Sequence, residues 1–590
     1  MIKRVVHAGT VRRNSIALLI CGMTMLPSFA HGQSAKLSKD LQHMTASKTV
    51  NVIIQYRTAP TDTHYARVTE RGGALRQDLR AVKAGAFQVS STSLNQLAND
   101  PDVKFISPDR PVAAASYSNS PDFYEDAVQA QAAWTQYDGT GIGIAVIDSG
   151  IADRNFSHNG FFGWGLSNGA DFGRRIVYNQ SFVQGEKWIF TDPYGHGTHV
   201  SGILAGNGAN STGWAFTKTF VGMAGNANLI NLRVLDENGA GTDSQVIAAI
   251  QTAIQLKNYF NIRIINLSLG RGVYENYTQD PLCQAVEAAW NAGIVVVVAA
   301  GNDGRNNSAG TSGYGTINAP GNDPYVITVG AMKPMGTPTR TDDLIASYSS
   351  KGPTLFDEVV KPDIVAPGNQ VISVLSSVNA TLHSSANSVQ DDYYSAFGGD
   401  RDSVTYYRLN GTSMATPVVS GAAALLLQQN PNLTPDQVKA RLMKTAYKNF
   451  PRYSTATDPT TGQTYTSQYD IFTVGAGYLD VQSAIQNTDL APATVGSAKS
   501  PIAVQDQSGQ FYIGNDPTSV WGNSVLWGTA NVWGSEVLWG TEVSGESVLW
   551  GTNYIQGQSV LWGSSATTAS SVLWGSASPE GVSIQVLGEQ

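Results

Sequence analysis

Gly143-Ile144-Ala145-Val146-Ile147-Asp148-Ser149-Gly150 is a short, mostly apolar and β-prone run that stops at a carboxylate and a Ser-Gly turn. An apolar run of this kind reads as a strand covered on both faces, the mark of a parallel sheet. It delivers Asp148 at its carboxyl end, where sites in open α/β sheets gather. A second run, Gly293-Ile294-Val295-Val296-Val297-Val298-Ala299-Ala300-Gly301-Asn302-Asp303-Gly304, is more continuous still and ends in an amide side chain. Strands alternating with helical runs over residues 142–427 indicate an α/β fold, with a mostly parallel sheet and helices on both faces.

Two further segments carry chemistry. Tyr194-Gly195-His196-Gly197-Thr198-His199-Val200-Ser201-Gly202 places an imidazole between glycines at the start of a helical run. Imidazole titrates near neutrality and can take and return a proton. Asn410-Gly411-Thr412-Ser413-Met414-Ala415-Thr416-Pro417 places a serine at a turn feeding a small-residue and apolar run over 418–427. A serine hydroxyl is a weak nucleophile unless a base activates it, and the base needs a buried carboxylate to hold its tautomer. Each residue also has a plainer role: Asp148 and Asn302 as turn formers, His196 as a packed histidine, Ser413 as a helix cap. His199 is expected to be such a packed residue beneath the site.

In their order and local motifs, Asp148, His196 and Ser413 resemble the triad of subtilisin-like serine proteases over about residues 122–485. The resemblance implies that Ser413 attacks a peptide carbonyl, His196 shuttles the proton and Asp148 orients His196. Asn302 matches the family's oxyanion asparagine, acting with the Ser413 backbone N–H. Ser268, Leu269 and Gly270, which end the run 264–270, resemble one edge of the substrate cleft. Ala240 and Gly241 resemble the opposite edge, so an extended peptide would add as a strand between them. Ala319-Pro320-Gly321 matches the family's cis proline beside the first pocket, with Asn318 where many relatives have a small residue.

No cofactor is expected for catalysis and no metal ligand is assigned. The family's calcium-binding loop corresponds to residues 152–159, where Ser157 stands at the place of an expected aspartate. Calcium wants several oxygen ligands with carboxylates among them, so loss of that site is expected. A structural calcium elsewhere stays open. Asp391, Asp392, Asp400 and Asp402 could offer such ligands, and an exposed acidic loop is the expected reading.

The 590 residues exceed a single core, and four regions are expected. Residues 1–32 read as a secretory signal: Lys3, Arg4, Arg12 and Arg13 precede an apolar run over 16–26, too short to span a membrane comfortably. Export is therefore expected, to the periplasm or beyond, with no transmembrane anchor. Cys283 would then be the lone cysteine, so no internal disulfide can form.

Residues 33–120 hold strands near 50–56, 85–89 and 103–107, a helix over 65–79 interrupted by Gly72-Gly73, and a short helix at 94–98. They resemble the small α+β, ferredoxin-like inhibitory propeptide of subtilases, with a cleavable tail over 108–121. Residues 121–487 form the catalytic domain. Residues 488–590 repeat a Ser-Val-Leu-Trp-Gly motif, with tryptophans about six or twelve positions apart save one shorter step. An even period keeps them on one face of extended chain, and structural packing is the expected role.

A net charge of −8 without a basic run argues against nucleic acid as a partner. Protein or peptide substrates and the chain's own propeptide are the expected partners, acting on a monomer. The alternative is an inactive surface-binding protein that works through its tryptophan repeats.

Overall fold

The computed structural model describes residues 36–42, 48–114, 124–152, 171–185, 190–308, 310–458, 461–505, 511–513 and 589. The expected signal, residues 153–159 of the calcium loop and the tryptophan repeats lie outside the described residues.

An amino-terminal unit has the order β1 (Thr49–Tyr56), α1 (Asp62–Glu70), β2 (Ala74–Leu79), β3 (Ala84–Ser90), α2 (Leu94–Ala98) and β4 (Val103–Pro108). Its four strands pair antiparallel in the order β2-β3-β1-β4. Val52, Ile54, Tyr65, Val68, Phe87, Leu97 and Ile106 form its core. The helix expected over 65–79 is only half right. It stops at Glu70, and Gly72, at φ +79°, turns the chain back. Residues 74–79 then pair with β3, which a helical reading of an interrupted amphipathic run misses because the pairing partner is tertiary.

Beyond it come β5 (Pro111–Ala114), β6 (Gly143–Asp148), β7 (Ile176–Ser181), α3 (His196–Ala205), β8 (Asn228–Arg233), β9 (Ala240–Thr242), α4 (Asp243–Phe260), β10 (Ile262–Leu267) and β11 (Leu269–Gly270). The chain continues through α5 (Pro281–Asn291), β12 (Val295–Ala299), β13 (Ile327–Lys333), β14 (Leu344–Ile345), β15 (Ile364–Pro367), β16 (Val371–Val374), α6 (Thr412–Gln429) and α7 (Pro435–Thr445). The central sheet runs β14-β13-β12-β10-β6-β8-β7, with β15 also on β13. All pairs are parallel except β13–β14.

Every residue of β6, β12 and β13 is buried, as strands with helices on both faces must be. Helices α4 and α5 pack together, and α3 packs on α6. Residues 412–427 of α6 are all buried, which explains why that run has no polar stripe.

Near the far end of the chain, Glu589 is buried against the unit built on the central sheet. Its carboxylate accepts from Arg305 Nη2 at 2.7 Å and Ser347 N at 2.8 Å, and also from Ser347 Oγ. Its carbonyl accepts from Asn369 Nδ2 at 3.1 Å and Gln370 Nε2 at 3.3 Å. Among the described residues, no helix is long and apolar enough to cross a membrane.

Candidate active site

The carboxyl ends of four neighbouring strands, β8, β6, β10 and β12, converge on one site. Asp148 is the last residue of β6 and lies in register with Arg233, the last of β8. Ser268 follows β10, and Asn302 lies three residues past β12.

His196 opens α3 and is fully buried. Its Nδ1 lies 2.8 Å from Asp148 Oδ1, and because an ionised carboxylate only accepts, Nδ1 carries the hydrogen. The Ser149 N–H donates to the same oxygen at 2.7 Å. This approach requires Gly197: a Cβ there would meet the Gly150 carbonyl oxygen at 2.3 Å and Asp148 Cβ at 3.1 Å. Asp192, which sequence reasoning missed, holds the first turn of α3. It accepts from Gly195 N, Thr198 N and Ser149 Oγ, each at 2.8 Å, and Ser149 Oγ in turn accepts from Gly197 N at 2.8 Å. Burial raises the Asp192 carboxyl above its usual range, and these donors offset only part of the rise. The sequence offers only its position four residues before His196, and nothing local distinguishes it from a turn aspartate.

Ser413 is the second residue of α6, so its N–H has no intrahelical acceptor. Gly411 precedes the helix at φ +130°, which only glycine adopts without strain. The Ser413 hydroxyl donates to the Ser268 carbonyl at 2.9 Å and makes no hydrogen bond to His196 Nε2. Reciprocally, Ser268 Oγ donates to the Ser413 carbonyl at 2.9 Å. That carbonyl is available because its helical partner would be the N–H of residue 417, and Pro417 has none. The proline in the nucleophile motif therefore ties α6 to the strand end at Ser268. Asn266 and Ser420 continue the chain of bonds: Asn266 Nδ2 donates to Ser268 Oγ at 3.0 Å, and Ser420 Oγ donates to Asn266 Oδ1 at 2.8 Å.

Asn302 is oriented by Thr412. The Thr412 N–H and hydroxyl reach Asn302 Oδ1 at 3.0 and 3.1 Å. A backbone N–H can only donate, so the oxygen must face Thr412 and Nδ2 must face the other way. Asn302 Nδ2 and His196 Nε2 are both buried without a hydrogen-bond partner among the described residues. With the hydrogen on Nδ1, His196 Nε2 is left as an acceptor and Asn302 Nδ2 as a donor, a pair that a bound ligand could satisfy.

The expected substrate edges are brought together around β5. Leu269 and Gly270 pair antiparallel with Ala114 and Ala113, while Ala240 and Gly241 pair antiparallel with Ala113 and Val112. The chain's own segment 111–114 is thus the middle strand of a three-stranded sheet. Asn318 Nδ2 donates to Asp303 Oδ2 at 3.2 Å, and the Ala319–Pro320 bond is cis.

His199 is buried beneath, with Nε2 3.0 Å from the Val371 carbonyl oxygen and its ring edge-on to Tyr407. Burial pushes it down to about 3, so it is neutral. No group of three or more potential metal-ligating side chains occurs among the described residues. Asp391 is paired with Arg401 at 2.5 Å, while Asp400 and Asp402 are exposed.

A model of the subtilase family matches residues 139–477. Serine protease AprX of Bacillus subtilis (strain 168) is 40% identical over 313 residues, covering 52% of this chain and 61% of AprX. Subtilisin E of the same organism is 33% identical over 380 residues, covering 64% of this chain and 79% of subtilisin E. The crystal structure of fervidolysin from Fervidobacterium pennivorans, described as a keratinolytic enzyme related to subtilisin, superimposes with a TM-score of 0.56. It is 19% identical and the match covers 80% of this chain and 64% of fervidolysin. The match thus spans less than two thirds of AprX and of fervidolysin.

Proposed function

Because the chain belongs to the subtilase family of serine proteases, we propose that it is an exported serine endopeptidase, made as a zymogen that cuts itself. The observation that carries this reading is the pair of unpaired atoms, His196 Nε2 and Asn302 Nδ2, in the site that also holds the Ser413 hydroxyl.

Rotation about the Ser413 side chain exchanges the Ser268 carbonyl for His196 Nε2. Ser413 Oγ then attacks the substrate carbonyl as His196 takes its proton, and Asp148 stabilises the imidazolium. Asn302 Nδ2 and the Ser413 N–H, at the positive end of α6, hold the oxyanion. His196 gives the proton to the leaving amine, and water repeats the cycle on the acyl-enzyme.

An extended peptide binds between Ser268-Leu269-Gly270 and Ala240-Gly241, through main-chain hydrogen bonds that tolerate many side chains. The prosegment's own strand, in that position, supports the reading of residues 33–120 as inhibitor. A substrate residue continuing the β5 register would lie opposite Ser268, beside Ser413. In the chain's own sequence that residue is Ala115, so self-cleavage is expected between Ala115 and Ser116. Export rests on the basic and apolar start of the chain.

The test is labelling of purified protein with a serine-directed phosphonate, with casein hydrolysis measured alongside. Label on Ser413, its loss in Ser413→Ala, and a mature chain starting at Ser116 are expected. An unlabelled chain that leaves casein intact after removal of the prosegment refutes the proposal and leaves the surface-binding alternative.

A further inference from the structure

The residues just before β5 are anchored more firmly than inhibition of a cleft by main-chain pairing requires. Asp109 caps the first turn of α4, accepting from Ser244 N at 2.6 Å and from Ser244 Oγ. Arg110 is only 4% exposed. Its Nη1 and Nη2 donate to Glu275 Oε1 and Oε2 at 2.6 and 2.7 Å, a two-pronged match of guanidinium to carboxylate. The same guanidinium lies 4.7 Å from the centre of the Tyr274 ring.

Glu275 is part of a larger buried group. Arg271 Nη2 donates to Asp243 Oδ2 and Asp280 Oδ1, each at 2.8 Å, and its Nε reaches Asp243 Oδ1 at 2.9 Å. Asp280 Oδ2 is buried without a partner. With Arg110 in place, Asp243, Glu275 and Asp280 face two guanidinium groups. Once the prosegment leaves, Arg271 alone stays with three carboxylates. Uncompensated buried charge is expensive, so the vacated recess favours a replacement cation.

Resting on the hydrolytic reading above, we propose that Glu275 and Tyr274 form a substrate subsite for an arginine six residues before the scissile bond, which Arg110 fills in the zymogen. The register sets the distance. Ala113 pairs with both Gly270 and Ala240, the position opposite Ser268 is two residues later, and Arg110 is three residues earlier. The site takes a guanidinium in preference to an ammonium, because both Glu275 oxygens are engaged by parallel N–H groups and the ring accepts a flat cation. The protease would then be tolerant close to the bond and selective for charge well upstream of it, recognising exposed, extended segments long enough to reach both places.

The experiment uses the full chain, allowed to process itself. Hydrolysis of Arg-Pro-Val-Ala-Ala-Ala-Ser-Tyr is compared with that of the same peptide carrying citrulline, which keeps the shape and loses the charge. A short Ala-Ala-Ala substrate serves as a control for activity. The arginine peptide is expected to have kcat/KM higher by about tenfold or more, mainly through KM. In Glu275→Gln that ratio should fall to within about twofold. Equal rates for the two long peptides on the wild-type chain, or an arginine preference that Glu275→Gln leaves intact, overturn the subsite while leaving the protease reading standing. No hydrolysis of any of the three, the short peptide included, removes the hydrolytic reading and the subsite with it.

Discussion

Thr412→Val should slow the proposed chemistry without weakening substrate binding. Thr412 supplies both hydrogen bonds to Asn302 Oδ1, from its N–H at 3.0 Å and its hydroxyl at 3.1 Å. The hydroxyl oxygen also accepts from Gly301 N at 3.2 Å. Valine keeps the shape and the backbone bond and removes only the hydroxyl. One neutral hydrogen bond is worth about 1 kcal/mol, and removal of a whole oxyanion donor costs about 3–4 kcal/mol. With the backbone bond still holding Asn302, we expect a loss of about 1–1.5 kcal/mol at the transition state, roughly a five- to twelvefold drop in kcat.

KM should stay constant, since the oxyanion exists only after attack. The assay is steady-state hydrolysis of a chromogenic peptide by the full chain after removal of the proposed prosegment, run beside Asn302→Ala and the double variant. Asn302→Ala should fall about 100- to 1000-fold, and adding Thr412→Val to it should cost nothing further, because Thr412 acts through Asn302. A raised KM with kcat unchanged, or full additivity in the double variant, would refute the reasoning.

Glu589→Ala leaves Arg305 Nη2 and the Ser347 N–H without their acceptor inside the protein. It should destabilise the catalytic unit by about 3–5 kcal/mol, seen as a lower unfolding temperature by calorimetry; an unchanged temperature would mean that this contact contributes nothing. His199, held down at about 3 against about 6.5 when unfolded, takes up its proton only on unfolding between those values. Stability should therefore fall as pH drops through that window, by up to about 1.4 kcal/mol per unit from this residue. Urea midpoints from pH 6.5 to 4 in the Ser413→Ala background, with and without His199→Phe, check this through the loss of that slope. Gly197→Ala would force a Cβ to within 2.3 Å of the Gly150 oxygen, so α3 must shift and separate His196 from Asp148; phosphonate labelling of Ser413 should slow sharply, and labelling at the wild-type rate would sink that account.

Local pattern was enough for the sheet and for the chain positions of the candidate site. Continuous apolar runs such as 293–300 can be satisfied only by cover on both faces, and Asp148, His196, Asn302 and Ser413 each sit where such a run or a helix starts or stops. Where the backbone had two local solutions, the reading failed: residues 74–79 became a strand because β3 was there to pair with. The roles of Asp192, Thr412 and Pro417 were not legible, since each acts through a partner that only folding brings near. Thr412 reaches across 110 residues to Asn302, and Arg110 across 165 to Glu275. The sequence by itself determined which chemical groups the chain carries and which segments must be buried, because periodicity and apolar length act over a few residues. Tertiary structure alone decided that Ser413 donates to Ser268, that Asn302 turns its nitrogen away from Thr412, and that β5 lies between β9 and β11. Those outcomes depend on hydrogen bonds and charges meeting at a few ångströms, and no local pattern encodes which distant partner will be there.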